Sequence, residues 1–121
     1  MKRQLRIVTV RVGRPPAVES IDHCLEGMQA VVGGWIEARR VNVPGIVAVC
    51  NEESMLEDLP PNGCGFLGPY FFVRDGGDGE FAGVTDADVV AIGHYWMAHR
   101  HQSHPSQYRD DIGFIFTPLE G

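Results

Sequence analysis

Four histidines gather toward the end of the chain, at His94, His99, His101 and His104. Imidazoles at a helix and its exit are common ligands for zinc or nickel. Their spacing argues against such a site. Positions 94 and 99 lie about 140° apart around a helix, no acidic residue stands four places on from either, and His104 precedes a proline. A capping and surface role is the simpler reading, because basic groups near a helix C-terminus face its negative end. A second group, Glu52, Glu53, Glu57 and Asp58, offers paired carboxylates for acid–base work or for magnesium. Adjacent carboxylates in a turn point apart into solvent, so this group reads as a solubilising surface that a partner protein can use.

The arginines suggest a third chemistry. Arg11, Arg14, Arg39 and Arg40 supply forked donors for an anion, and Trp35 or Tyr70 at a sheet edge supplies a stacking face. That set fits capture of a small anionic ligand such as a nucleotide messenger. Cys64 lies between two glycines with no histidine near it in sequence to activate a thiol. Neither Gly63-Cys64-Gly65 nor Gly76-Gly77-Asp78-Gly79 leads from a strand into a helix with phosphate-binding spacing. No HExxH motif or other catalytic signature is present.

The elements that must position these residues are short. Leu5 to Val12 predicts a first strand, ended by Gly13-Arg14-Pro15-Pro16, and Ala17 to Ser20 predicts a short edge strand. Ile21, Leu25, Met28 and Val32 mark one face of a helix capped by Ser20 or Asp22 and stopped by Gly33-Gly34. Trp35 to Val41 and Ile46 to Cys50 predict two strands, the second central because it is apolar throughout. Met55 to Leu59 reads as a returning strand, Phe66 to Arg74 as the most apolar strand, and Glu80 to Val84 as its partner across a glycine-rich loop. Thr85-Asp86-Ala87-Asp88 opens a second helix whose inner stripe is Val89, Ile92, Gly93 and Trp96. A loop from Gln102 to Asp111 and an apolar run from Ile112 to Phe116 complete the chain.

Size and composition set the outer bounds. A chain of 121 residues is one domain and buries about two-thirds of its unfolded surface without a disulfide or metal. Fifteen glycines and eight prolines favour many turns over a helical bundle. Residues 1–40 carry a charge of +3 and residues 41–121 carry −9, making the overall −6. That balance disfavours general nucleic-acid binding. Three cysteines in no metal or redox spacing, no signal sequence and no long apolar run lead us to expect a reduced, cytoplasmic chain that does not enter a membrane.

In combination the short motifs are specific. The order Met28-Gln29-Ala30-Val31-Val32-Gly33-Gly34, Trp35-Ile36-Glu37, Cys50-Asn51-Glu52-Glu53, Leu59-Pro60-Pro61-Asn62, Leu67-Gly68-Pro69 and Val84-Thr85-Asp86-Ala87-Asp88 resembles a domain-of-unknown-function family found mainly in phages and mobile elements. The resemblance covers about residues 6–90. In such proteins the Asn-Glu-Glu turn is usually followed by glycine and lysine, whereas Ser54-Met55 follow here. The family carries no established enzymology, so no residue inherits a catalytic role.

The expectation is therefore a single α+β domain over residues 1–121, with 102–121 a C-terminal extension. Its sheet is mainly antiparallel, of five or six strands, with two helices packed on one face. A free strand edge or the aromatic tail makes a homodimer an option. Functionally, the resemblance and the absence of a catalytic set imply a non-enzymatic mobile-element protein, without cofactor, that antagonises a host defence protein by binding it. Sequestration of a small anionic ligand and metal-dependent hydrolysis through the tail histidines remain as alternatives.

Overall fold

Two runs, Ile46–Cys50 and Tyr70–Val73, lack the polar alternation of a half-exposed strand and so require cover on both faces. The computed structural model describes residues 3–103 and shows how that cover is provided. The elements run β1 (Gln4–Val10), β2 (Ala17–Asp22), α1 (Leu25–Val32), β3 (Ile36–Arg40), β4 (Ile46–Asn51), β5 (Tyr70–Asp75), β6 (Phe81–Ala82) and α2 (Asp86–His99). They form one antiparallel sheet in the order β2-β1-β5-β4-β3, with β6 pairing the far end of β5. The fold is α+β, as the sequence implies.

The helices do not share a face. Leu5, Ile7, Val47, Val49, Phe71 and Val73 pack with Val31 and Val32 of α1. Their alternate neighbours Val8, Val10, Ala48, Cys50, Tyr70 and Phe72 pack with Ile92 of α2. Successive strand residues point to opposite faces. Because β1, β4 and β5 each carry apolar residues on both faces, placing both helices on one side would leave the other face bare in water. The expectation of a single covered face is corrected on that ground.

Further boundaries move for local reasons. The segment Met55–Leu59 is turn rather than strand, because its backbone bonds internally, Glu57 N to Glu53 O and Leu59 N to Ser54 O, and Asp58 takes φ 53°. β5 begins at Tyr70 rather than Phe66, since Gly68 at φ 73° breaks the extended run. Ile21 belongs to β2, and α1 starts only after Cys24, which makes no side-chain cap. Gly33, at φ 82°, does end α1 in the left-handed conformation, its N–H reaching Gln29 O at 2.7 Å. In α2 the buried positions are Asp88 and Ile92, with Val89 and Trp96 half-buried, while the Gly93 position opens onto empty space. The run Ile112–Phe116, and most of the loop before it, lie outside the described residues.

Gly27 is a helix-interior glycine that the sequence leaves unexplained. Alanine there is ordinarily worth about 1 kcal/mol to a helix. A Cβ at position 27 would lie 2.3 Å from the backbone carbonyl oxygen of Asp22, which cannot swing aside. We expect Gly27→Ala to destabilise by about 1–3 kcal/mol, the cost of overpacking. A thermal midpoint at or above that of the parent would refute this.

Thr85 and Asp88 cap α2 reciprocally: Thr85 Oγ1 accepts from Asp88 N at 3.1 Å, and Asp88 Oδ2 accepts from Thr85 N at 2.9 Å. The same carboxylate accepts two bonds from the Arg74 guanidinium of β5, pinning the helix start to the sheet. Arg74, and secondarily the Thr85 amide, hold the Asp88 carboxyl down at about 2 against the opposing effect of burial. A depressed folded value means this contribution is complete above about pH 4 and lost as pH falls toward 2. The urea midpoint should therefore drop across that window, and Asp88→Asn should flatten the drop. Identical pH profiles for parent and variant would remove Asp88 as the cause.

Candidate functional site

β1 and β4 both run antiparallel to β5, so they run in the same direction and their exits lie at one end of the sheet. The start of β3 and the loop entering β5 reach that end too. α2 starts beside Arg6, whose carbonyl accepts from Val84 N, and finishes near the Cys64 loop, where His99 O accepts from Cys64 N at 3.0 Å. This end therefore collects the glycine-rich and proline-rich connections. Two features stand out there.

The first is an acidic loop with apolar tips. Asn51 is buried and organises it: its Oδ1 accepts from Glu53 N at 2.7 Å, and its Nδ2 donates to Val32 O and to Glu57 Oε1, each at 3.2 Å. Glu52, Glu53, Glu57 and Asp58 are all exposed, as expected from the sequence, and none is ion-paired among the described residues. Between them Met55 is 52% and Leu56 83% exposed. Trp35, 59% exposed, adjoins the loop because its carbonyl accepts from Glu52 N at 2.7 Å. Sequence reading found these carboxylates but missed the apolar tips, having placed Met55 and Leu56 in a strand.

The second is a cleft of about 520 Å³ between the β1 exit and the end of α2. Arg14 and Pro15 line one wall, Pro61 another, and Trp96, Arg100 and His101 the third. The Arg100 guanidinium lies over the Trp96 ring, 5.6 Å from its centroid. Asn62 fixes the wall through its side chain, donating to Val10 O at 2.8 Å and Gly68 O at 3.0 Å. Trp96 and Arg100 were not singled out as ligand groups by the sequence, although a Trp and an Arg four residues apart share one helix face.

The arginine set expected from sequence does not converge. Arg11 is paired with Glu19 at 2.9 Å, and Glu19 also accepts from the Thr9 hydroxyl; that hydroxyl and Arg11 hold the carboxyl below its usual range. Arg39 pairs with Glu37 at 2.9 Å and sits over the Phe66 ring, while Arg40 reaches Asp75 at 3.9 Å. Arg39 and Arg40 line a separate hollow of about 290 Å³. Tyr70 is fully buried between Phe66 and Phe72, so its proposed stacking role is corrected: β5 is central, and no ligand reaches that ring. Burial, and then the neighbouring Cys64 thiol, push the Tyr70 hydroxyl upward.

The remaining candidates form no reactive arrangement among the described residues. His99 stacks on Tyr95 at 4.3 Å and His94 is exposed; both border a hollow beside Pro44, and His104 lies outside the described residues. Among the described residues no group of three or more potential ligands is placed to hold a metal. Cys64 is buried, and burial raises its thiol pKa; the same cause pushes Cys50 up to about 11. Both thiols stay protonated at neutral pH, which is the unreactive state. No helix among the described residues is long and apolar enough to cross a membrane.

Comparison with known proteins places the chain without assigning it chemistry. No curated protein and no solved structure matches it significantly. The family described as domain of unknown function DUF3846 matches residues 4–97, a span that includes the acidic loop and Trp96 and stops short of Arg100. The chain belongs to the DUF3846 family.

Proposed function

We propose that this protein acts by binding another protein, through the acidic loop and Trp35, as a cytoplasmic accessory factor of a mobile element directed at a host defence protein. One observation carries the reading: three large apolar side chains, Trp35, Met55 and Leu56, are more than half exposed among four carboxylates lacking a cationic partner in the described residues. Isolated exposed apolar residues are ordinary, but a tryptophan and two long aliphatics beside uncompensated charge resemble the anchor and rim of an interface. Asn51 holds the loop in place before any partner arrives, which lowers the ordering cost of binding. The partner implied is a surface with basic groups around an apolar pocket. The mobile-element setting rests on the motif resemblance alone.

Purification of the parent chain and of Leu56→Glu from cells carrying the natural genetic context tests this. The parent should retain a stoichiometric protein partner that the variant loses. Both chains should unfold within about 0.5 kcal/mol of each other, because Leu56 touches little of the fold. Failure to retain a partner, equal retention by the variant, or turnover by the pure protein would each overturn the reading.

A further inference from the structure

Eight arginines lie within the described residues, and five of them, Arg6, Arg11, Arg39, Arg40 and Arg74, are ion-paired with a carboxylate. Arg3 faces the His23 ring at 3.4 Å. The two left without such a partner among the described residues, Arg14 and Arg100, come from opposite parts of the chain and line the same cleft. We propose that this cleft binds a small phosphate-bearing molecule with a planar body, of which a mononucleotide is the simplest example. The site is separate from the acidic loop and does not depend on the protein-binding reading.

Four features support it. The cleft, at about 520 Å³, lies within the 300–1,000 Å³ range of small-molecule sites. Among the described residues its lining includes Arg14, Arg100 and His101 and no acidic side chain. Arg100 is held by the Trp96 ring instead of by a carboxylate, so its direction is restricted while its N–H fork stays free for an anion. Pro15 and Pro61 present flat apolar faces that suit a base or similar ring.

A simpler account exists for part of this. Arg100 and His101 follow the end of α2, where cations offset the negative helix terminus. That account does not reach Arg14, which stands on the β1 exit and has no carbonyl terminus to neutralise. The α2 end is also partly quenched already, since His99 O accepts from Cys64 N and from Gln102 N. The cationic character of the cleft therefore exceeds what capping requires.

Isothermal titration of the full chain with adenosine monophosphate, adenosine and pyrophosphate, at low and moderate salt, tests the proposal. The nucleotide should bind more tightly than pyrophosphate, adenosine should give no saturable heat, and added salt should weaken the nucleotide. Replacing both arginines, Arg14→Glu with Arg100→Glu, should weaken nucleotide binding by about 100-fold, as two charge-assisted contacts are lost. Both side chains are exposed, so an unchanged unfolding midpoint will show that the fold survives. The paired lysine substitutions should give intermediate affinity by keeping charge without the fork. Absence of binding by every phosphate-bearing probe, equal binding of adenosine or pyrophosphate, or undiminished binding by the double glutamate variant would each overturn it.

Discussion

Asn51→Ala is expected to lower stability by about 2–4 kcal/mol, seen as a lower urea midpoint with an unchanged denaturant slope. Asn51 is 1% exposed and its amide uses three partners: Val32 O, Glu57 Oε1 and Glu53 N. Alanine leaves the Val32 carbonyl, at the end of α1, and the Glu53 amide without those bonds, and an unmade bond to a buried group costs more than a made one gains. The amide also packs against Gly34, where a Cβ would meet Asn51 Nδ2 at 2.9 Å, so alanine gives up that close contact together with the hydrogen bonds. Glu57→Gln is the control. It keeps an acceptor on an exposed side chain, so a change within about 0.5 kcal/mol is expected. A loss below that size for Asn51→Ala would mean that the loop is held by something other than this amide.

This contact also explains what the short motifs are for. Gly33-Gly34-Trp35 and Cys50-Asn51-Glu52-Glu53 are sixteen or so residues apart in sequence yet form one lock, with the amide of Asn51 pressed against Gly34 and Glu52 N bonded to Trp35 O. Asn62 of the Leu59-Pro60-Pro61-Asn62 motif likewise ties the loop entering β5 to the exit of β1. Strongly patterned residues in this chain thus set the positions of loops, and through them the acidic tips and the cleft walls.

That distinction accounts for which parts were legible. The central strands were, because fully apolar runs have one stable environment, and Gly33 announced the end of α1 through its φ requirement. The sides on which the helices pack were not, since α1 and α2 each carry an apolar stripe that fits either face; only the counterpart demand of β1, β4 and β5 decides. Of the ligand candidates, exposure of the four carboxylates followed from turn chemistry. The arginines misled because sequence spacing does not disclose ion pairing: Glu19 reaches Arg11 across a hairpin, and Asp75 reaches Arg40 from another strand. Arg14 was found and Arg100 was not, because their approach depends on α2 crossing the sheet to the β1 exit.

Tyr70→Ala should cost about 3–5 kcal/mol, the range for removing a buried aromatic, while Tyr70→Phe should cost about 1 kcal/mol or less. The ring is 0% exposed, 4.4 Å from the Phe66 centroid and 5.6 Å from that of Phe72, so alanine empties the centre of the layer between the sheet and α2. Its hydroxyl donates to Asn62 O over a long 3.4 Å, a bond that phenylalanine gives up at little expense. The pair of variants separates two roles that the sequence leaves confounded. If Tyr70 stacks a ligand, phenylalanine keeps the ring, and alanine abolishes binding in a chain that remains folded. If Tyr70 is the packing centre of this layer, alanine shifts the unfolding midpoint first and binding at the Arg14–Arg100 cleft fails only as the fold does. Circular dichroism melts run beside titration of the same samples decide between them, and a folded Tyr70→Ala chain with a near-parent midpoint would show that Tyr70 is not the packing centre of this layer.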